Sequence, residues 1–328
     1  MRDLARIGKD LADRALDWTV LPGFSRIGYG LRESLVARGP LDLEGRSVMV
    51  TGASSGIGEA ACAELARDGA RVHMVVRDRE RGERARERIA ARAPAAAEIE
   101  LHLCDLSDLR SVRSAAAAFV DSGAPLQVLV NNAGILPDRR THTDEGFELA
   151  FATNVLGPFL LTALLLPALA ASAPSRVINV SSGGMYTARL DLDDLQLEGR
   201  EFDGARFYAH TKRLEVALSE EWARRLAGRE IVVHSFHPGW VATPGVASSL
   251  PRFDRVMRPL LRDPAAGADT IVWLAGSPEG AGHSGAFWHD RRPRPKHRVP
   301  WTRESAAERA ALFERCAGLC GLDPDRLV

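Results

Sequence analysis

Residues 48–58 read VMVTGASSGIG, and this stretch sets the architecture of the 328-residue chain. The apolar run at residues 48–50 predicts a buried parallel strand, and the alanine-rich segment after Gly58 predicts a helix. Gly52, Gly56 and Gly58 lie in the turn between them, where phosphates could approach bare backbone. The helix start adds free N–H groups and the positive end of its dipole. The stretch therefore predicts a nucleotide-binding βα unit, although its G-x-x-x-G-x-G spacing differs from the commoner G-x-G-x-x-G.

From residue 46 onward, segments predicted as strands alternate with segments predicted as helices. The predicted strands are residues 48–50, 72–76, 99–103, 126–130, 177–180, 231–236 and 286–288. The predicted helices are residues 56–67, 80–92, 108–120, 145–170, 208–226 and 265–275. This alternation predicts one α/β domain, a Rossmann-type doubly wound parallel sheet with helices on both faces. Ligands of such sheets bind beyond the carboxyl ends of the strands.

Two further segments flank the predicted domain, which we place at residues 41–290. Residues 1–40 predict an N-terminal extension of two amphipathic helices, the first of which ends at Pro22-Gly23. These helices could pack on the domain or on another subunit, or could contact a membrane peripherally through Trp18 and Phe24. Residues 291–328 are predicted to form a basic tail, solvated or reaching another subunit, and a closing helix at residues 303–319.

The composition excludes several classes of protein. Acidic and basic residues balance at 43 each, so no net charge favours nucleic acid. The four cysteines are scattered and are predicted to be reduced, which suits the cytoplasm. Cys316 and Cys320 share a helix face but lack further ligands nearby, and we predict no metal site. No stretch is expected to be long and apolar enough to span a bilayer. We therefore expect a cytoplasmic protein, with peripheral membrane contact as the alternative.

Tyr208 and Lys212 lie four residues apart in a predicted helix and so share one face. The pair could be an ordinary aromatic–cation contact on the surface. It could also be an acid–base device, because a nearby ammonium favours the phenolate form and lets a tyrosine exchange protons near neutrality. Ser182 closes the predicted fifth strand and would bring a hydroxyl to the same edge of the sheet.

Taken together, these motifs resemble those of the short-chain dehydrogenases/reductases. The matching residues are Thr51, Gly52, Gly56, Ile57, Gly58, Asn131, Asn132, Ala133, Gly134, Asn154, Ser182, Tyr208, Lys212, Pro238 and Gly239. The resemblance covers residues 44–290. Further strings, such as HPGW at residues 237–240 and TPGV at residues 243–246, resemble the retinol-dehydrogenase-like branch.

The resemblance implies catalytic roles for four residues. Tyr208 would exchange a proton with the substrate oxygen, and Lys212 would assist it while holding the nicotinamide ribose. Ser182, rather than Ser181, would donate a hydrogen bond to the substrate oxygen. Asn154 would order a water in the proton relay; the alternative is a polar residue that merely distorts its helix.

The resemblance also implies a cofactor site and a homo-oligomer. The implied cofactor-binding residues are Gly52, Ser54, Ser55, Gly56, Ile57, Gly58, Arg77, Asp105, Leu106, Asn132, Ala133, Gly134, Tyr208, Lys212, Pro238, Gly239, Val241 and Thr243. Asp105 would contact the adenine ring, or else cap a helix.

Charge at the end of the second strand predicts which cofactor is preferred. NAD-preferring folds place an acid there to bind the ribose hydroxyls. This chain has Val76 followed by Arg77, whose guanidinium suits a 2′-phosphate unless Asp78 pairs with it. We therefore predict NADP(H) as the preferred cofactor, with NAD(H) as the alternative.

The predicted function is an NADP(H)-dependent oxidoreductase that moves a hydride between nicotinamide and a carbonyl or alcohol of an apolar small molecule. The alternative is a catalytically silent NADP(H)-binding regulatory or scaffold protein. Residues 183–207 form a longer segment between Ser182 and Tyr208 than the family's common pattern has. This insertion is predicted to cover the substrate cleft, or else to be a surface excursion without contact to substrate.

Overall fold

The computed structural model describes residues 13–14, 16–36 and 38–327. Its centre is an eight-stranded sheet of order β3-β2-β1-β4-β5-β6-β7-β8. The strands are β1 Ser47–Thr51, β2 Arg71–Val76, β3 Ile99–Leu103, β4 Val128–Asn131, β5 Ser175–Val180, β6 Ile231–Phe236, β7 Phe287–His289 and β8 Arg292–Pro293. Strands β1 to β7 are parallel, which confirms the predicted doubly wound sheet. The short β8 pairs antiparallel with β7 and was not predicted.

Helices cover both faces of this sheet. They are α1 Val20–Phe24, α2 Arg26–Leu35, α3 Gly56–Arg67, α4 Arg79–Ala90, α5 Leu109–Asp121, α6 Leu149–Ala171, α7 Gly204–Arg225, α8 Pro244–Ser249, α9 Pro251–Met257, α10 Pro264–Gly276 and α11 Ala306–Leu319. The strand order reverses between β1 and β4, as in dinucleotide-binding folds, whose ligands bind beyond the carboxyl ends of the strands at this switch point.

Strand β1 is buried along its whole length because each face of the sheet has its own core. Met49 packs into the core on one face, which includes side chains of α5, α6, α7 and α11. Val48 and Val50 pack into the core on the other face, which includes side chains of α3 and α10. A strand covered on both faces needs apolar residues at successive positions, which explains the unbroken apolar run in the sequence.

The expectation that no segment is long and apolar enough to span a bilayer was wrong for helix α6. Its 23 residues are long and apolar enough to cross a bilayer by length and composition. Most of its surface is nevertheless buried inside the protein. Phe159, for example, contacts the rings of Trp222 in α7 and Phe313 in α11, with ring centroids 5.2 and 5.0 Å away. The helix is apolar all round because it lies in the core.

The N-terminal extension differs from its prediction in where the chain breaks. Pro22 and Gly23 lie inside α1 and do not end a helix. The helical chain is interrupted at Thr19, which has an extended backbone, and again at Ser25, whose hydroxyl accepts a hydrogen bond from the N–H of Ile27 and caps α2. Most of the residues before Pro22, where the first helix was predicted, lie outside the described residues.

The basic stretch after Asp290 is not a solvated tail, so that prediction was wrong. Arg294 is buried and donates to both carboxylate oxygens of Asp13, over 2.8 and 2.7 Å. Arg32 of α2 donates to the same carboxylate over 2.9 Å. The basic residues therefore pair with acids of the N-terminal extension and join its described part to the stretch after β7.

Asp290 is the second acid of this buried network. Its carboxylate accepts hydrogen bonds from Arg32 over 2.9 Å and from Arg262 over 2.5 and 3.0 Å. Burial alone would raise the pKa of Asp290, but the guanidinium groups of Arg262 and Arg32 hold it below its ordinary value. The carboxylate therefore stays ionised between two buried cations.

Candidate active site

The turn between β1 and α3 has a backbone that requires glycine. Gly52 and Gly56 have φ values of +67° and +58°, in the left-handed region. A Cβ at Gly58 would lie 2.4 Å from the carbonyl oxygen of Gly52, so α3 starts directly against the turn. Ser55 is the N-cap of α3, but its side chain makes no capping bond. The first N–H groups of α3 are thus not capped by that hydroxyl, and Ser54 and Ile57 lie beside them half-buried.

The end of β4 is tied to this glycine turn. The hydroxyl oxygen of Thr51 accepts from the backbone N–H groups of Asn132 and Ala133, both over 3.0 Å. The Asn132 side-chain amide donates to the Thr51 carbonyl over 2.8 Å. A Cβ at Gly134 would lie 3.1 Å from the Nζ of Lys212. The segment after β4 therefore runs from the glycine turn to the lysine of α7.

Tyr208 and Lys212 lie on one face of α7, as predicted. The ammonium nitrogen of Lys212 is 5.5 Å from the centroid of the Tyr208 ring. Ser181 is buried, and its hydroxyl donates to the Lys212 carbonyl over 2.8 Å. The Ser182 hydroxyl is half-buried and accepts a bond from the N–H of Gly184 over 3.2 Å. Of the two serines, only Ser182 has a hydroxyl that is not committed to the α7 backbone.

The ammonium of Lys212 is held by a carboxylate that the sequence analysis missed. It donates to Glu215 over 2.7 Å and to the Val180 carbonyl over 2.9 Å, and all three groups are buried. Burial alone would lower the pKa of Lys212, but the charge of Glu215, the neighbouring Tyr208 and the hydrogen bond to Glu215 together raise the pKa above its usual value. Burial in turn raises the pKa of Glu215 to about 7. The spacing of three residues on one helix was the available signal.

Asn154 lies where α6 departs from α-helical geometry. Residues Ala152–Leu156 form a π-helical segment, which agrees with the alternative of a helix-distorting residue. The side-chain oxygen accepts from the N–H of Ile135 over 2.8 Å. Its amide group donates to the Ile135 carbonyl and to the Thr211 hydroxyl, both over 3.0 Å. Asn154 therefore links α6, α7 and the segment after β4.

The predicted residues of the adenosine side lie at the ends of β2 and β3. Arg77 is exposed directly after β2. Asp78 does not pair with it; its carboxylate accepts from the N–H of Arg81 over 2.8 Å and caps α4. Asp105 accepts from the N–H and hydroxyl of Ser107 over 2.9 and 2.6 Å. Asp105 therefore stabilises a turn. The N-cap of α5 is Asp108, so the alternative that Asp105 caps a helix was wrong.

The other residues predicted to bind the cofactor, Leu106 and those after β6, differ in how far they are buried. Leu106 is buried in the core. Pro238 is half-buried, and Gly239 follows with a φ of +79°. Val241 is buried, whereas Thr243 caps α8 and lies over the glycine turn, its methyl group 3.2 Å from where a Cβ of Gly56 would be. The segment after β6 therefore closes over the turn.

The insertion at residues 183–207 packs on the domain. Leu195 and Leu197 are buried, and Arg140 donates to the Leu197 carbonyl over 2.7 Å. A cavity of about 380 Å³ lies between the insertion, the first turns of α7 and Trp301. Its lining carries several charged side chains and includes neither Ser182 nor Tyr208. The insertion is therefore anchored on the domain beside α7, and the cavity that it lines reaches Ala209 and His210 but not the Tyr208 side chain.

Comparison with known proteins agrees with this geometry. Residues 46–191 match the family described as short chain dehydrogenase. The chain is 45% identical to dehydrogenase/reductase SDR family member 12 of Bos taurus, over 84% of this chain and 87% of the relative. It is 38% identical to retinol dehydrogenase 14 of Homo sapiens, over 76% of this chain and 79% of the relative. The predicted resemblance to the retinol-dehydrogenase-like branch is confirmed.

Solved structures share the fold. A protein from Mycobacterium Paratuberculosis superposes with a TM-score of 0.70 at 30% identity, covering 88% of this chain and 98% of that one. Pseudomonas aeruginosa RhlG, solved as an NADP active-site complex, superposes with a TM-score of 0.62 at 28% identity, covering 75% and 94%. The chain therefore belongs to the short-chain dehydrogenase/reductase family, in its retinol-dehydrogenase-like branch, and is an oxidoreductase that acts on alcohol or carbonyl groups.

Proposed function

We propose that this enzyme uses NADP(H) to interconvert an apolar carbonyl compound and its alcohol, with Ser182, Tyr208, Lys212 and Asn154 as the site. One observation carries the assignment: the buried Lys212 ammonium lies 5.5 Å from the Tyr208 ring, beside the segment that leads to the glycine turn. The Tyr208 hydroxyl is the group that would exchange a proton with the substrate oxygen, with the Lys212 ammonium next to its ring.

The residues around the glycine turn suit a dinucleotide. The absence of a Cβ at Gly58 lets α3 start directly against the Gly52 carbonyl, and the Ser55 hydroxyl does not cap the first N–H groups of α3, which leaves them available to a phosphate. When bound there, the nicotinamide would supply or accept the hydride. Ser182 would donate a hydrogen bond to the substrate oxygen, while Tyr208 moves the proton. Lys212 would bind the ribose hydroxyls, with Glu215 keeping its ammonium charged and in place.

Arg77 is the residue that we assign to the preference for NADP(H). It is exposed at the end of β2, and Asp78 is occupied by capping α4. Arg77→Ala should raise the KM for NADPH roughly 10–100-fold, because charged hydrogen bonds to the 2′-phosphate are lost. The KM for NADH should change less than about threefold. Steady-state kinetics with both cofactors measure this difference.

Arg92→Ala is the matched control for this comparison. Arg92 is also exposed, but it follows the far end of α4. It should leave both KM values unchanged. Equal losses with NADPH and NADH in the Arg77→Ala variant would contradict the assignment, as would a loss of the same size in the Arg92→Ala variant.

We assign the substrate to apolar, lipid-like or retinoid-like carbonyls and alcohols. The names of the retinol dehydrogenase relatives support this class, and the anchored insertion beside α7 offers a surface for specificity. Oxidation of NADPH against aldehydes, ketones, retinoids and quinones tests the class. The alternative, a silent NADP(H)-binding scaffold, predicts cofactor binding without turnover on any of them.

We further propose a cytoplasmic enzyme whose N-terminal extension contacts a membrane surface. Trp18 is 78% exposed, as a membrane contact requires, whereas Phe24, the other predicted contact, is buried, so that part of the prediction was wrong. Leu21, Ile27 and Leu31 are instead about half exposed on α1 and α2. Apolar side chains exposed on a short helical segment are typical of interfacial contact. A homo-oligomer, implied by the family, stays a prediction.

Co-sedimentation with liposomes tests the membrane contact on the full chain. Wild-type protein should sediment with the vesicles, and a Trp18→Ser/Leu21→Ser variant should stay largely in the supernatant, because less apolar surface can insert. Val256→Ser is the control, since Val256 is 73% exposed elsewhere on the protein. Equal sedimentation of all three proteins, or none of the wild type, would contradict the proposal.

A further inference from the structure

Two imidazoles and a carboxylate meet on one face of the sheet, away from the glycine turn. His73 comes from β2, and Glu100 and His102 come from β3, the edge strand. His73 Nδ1 lies 3.0 Å from His102 Nε2 and 3.5 Å from Glu100 Oε2. His102 Nε2 lies 3.9 Å from the same carboxylate oxygen. Bonds of 2.0–2.1 Å to a tetrahedral metal place ligand atoms about 3.3 Å apart, close to these distances.

The surroundings of the cluster suit ligation. The other ring nitrogen of His73, Nε2, lies 2.8 Å from the hydroxyl of Ser47, and such a partner fixes which nitrogen faces a metal. The ring of Phe119 packs edge-on against both imidazoles, at 5.1 and 5.8 Å.

The carboxylate is free to bind, and the site is open to solvent. The nearby Arg71 is occupied by Glu98, to which it donates over 2.6 Å. Within the described part of the chain, Glu100 is paired only with the two imidazoles. Its side chain is 56% exposed and that of His102 is 24% exposed, whereas His73 is fully buried. A metal could therefore enter from solvent and keep a water as its fourth ligand.

We propose that His73, Glu100 and His102 bind one divalent transition-metal ion of the Zn²⁺ class, which links edge strand β3 to β2. Two imidazoles and one carboxylate are a ligand set that Zn²⁺ and Co²⁺ accept, whereas Ca²⁺ and Mg²⁺ prefer oxygen ligands. No metal site was predicted from the sequence. The ligands come from two strands, and they are close only because the strand register pairs His73 with Glu100. The proposal does not depend on the redox site.

Titration of the full-length, chelator-treated protein tests the proposal. Co²⁺ should bind with one-to-one stoichiometry and a visible d–d absorption, and Zn²⁺ should displace it. Zn²⁺ should also raise the Tm of the wild type, because it binds only the folded state. His102→Ala should weaken Zn²⁺ binding, measured by calorimetry, at least about tenfold and remove the rise in Tm.

Three further variants separate ligation from a general structural effect. Glu100→Gln changes an exposed side chain and should weaken Zn²⁺ binding without altering the Tm of the metal-free protein. Ser47→Ala should weaken it about tenfold through the orientation of His73. His283→Ala, at an exposed histidine outside the cluster, should change nothing. The proposal fails if the wild type takes up no Co²⁺ or Zn²⁺, or if His102→Ala binds Zn²⁺ as tightly as the wild type does.

Discussion

Tyr208→Phe is expected to lower kcat about 10³-fold or more while leaving the Kd for NADPH nearly unchanged. The substitution removes only the phenolic hydroxyl, so the ring that lies 5.5 Å from the Lys212 ammonium is kept. Positioned acid–base groups contribute about 10²–10⁴-fold to rates, and no other tyrosine neighbours this lysine among the described residues. Stopped-flow or steady-state turnover gives kcat, and quenching of protein fluorescence by NADPH gives the Kd.

Tyr29→Phe is the matched control for this experiment. Tyr29 lies in α2, and the same hydroxyl is lost there without approaching Lys212. Its kcat should equal that of the wild type. A Tyr208→Phe variant that keeps kcat within about tenfold of the wild type would remove Tyr208 from the proton transfer. A variant that loses turnover together with NADPH binding would point to a damaged cofactor site instead.

Asp290→Asn is expected to lower the free energy of unfolding by about 3–5 kcal/mol, the usual cost of removing one partner of a buried ion pair. The amide keeps the shape of the carboxylate but leaves the buried Arg32 and Arg262 without that counter-charge. Asp290 has a φ of +51°, a backbone conformation that asparagine also adopts readily, so the change tests charge and adds no strain. Thermal and denaturant unfolding measure the loss.

The pH dependence of this loss follows from the depressed pKa of Asp290. A carboxyl group whose folded-state pKa lies below its unfolded value stabilises the protein above the unfolded pKa, about 3.9. That stability disappears as the pH falls through the folded-state pKa. The difference between wild type and Asp290→Asn should therefore be largest near neutrality and shrink below about pH 4.

Asp138→Asn, at an exposed position, is the control and should change the free energy of unfolding by less than about 0.5 kcal/mol. A difference between wild type and Asp290→Asn that is small, or that persists unchanged into acid, would contradict the role given to the Asp290 carboxylate. Either result would mean that the network joining the N-terminal extension to the stretch after β7 is stabilised by packing and not by charge.

The sequence was sufficient to predict those features that depend on residues close together in the chain. Strands at residues 99–103 and 231–236 have the predicted bounds: the buried strand β6 begins with an apolar run, and the edge strand β3 alternates apolar and polar residues. The glycine turn and the Tyr208–Lys212 pair were equally visible, since a left-handed backbone requires glycine and a helix brings residues four apart onto one face. Strand β8 was missed because two residues that include a proline carry no strand signal.

Contacts between residues far apart in the sequence could not be predicted from local sequence patterns. Arg294 looked like part of a solvated basic tail because its partner, Asp13, lies 281 residues away. In the sequence, Asp78 could have paired with its neighbour Arg77. In the structure its carboxylate instead caps the start of α4. The cluster of His73, Glu100 and His102 exists because of one strand register, and a shift by a single residue would turn its side chains to the other face. Residue type and spacing thus specify the strands, the glycine turn and the helix face shared by Tyr208 and Lys212, whereas the pairing of buried charges depends on which elements the folded chain packs together.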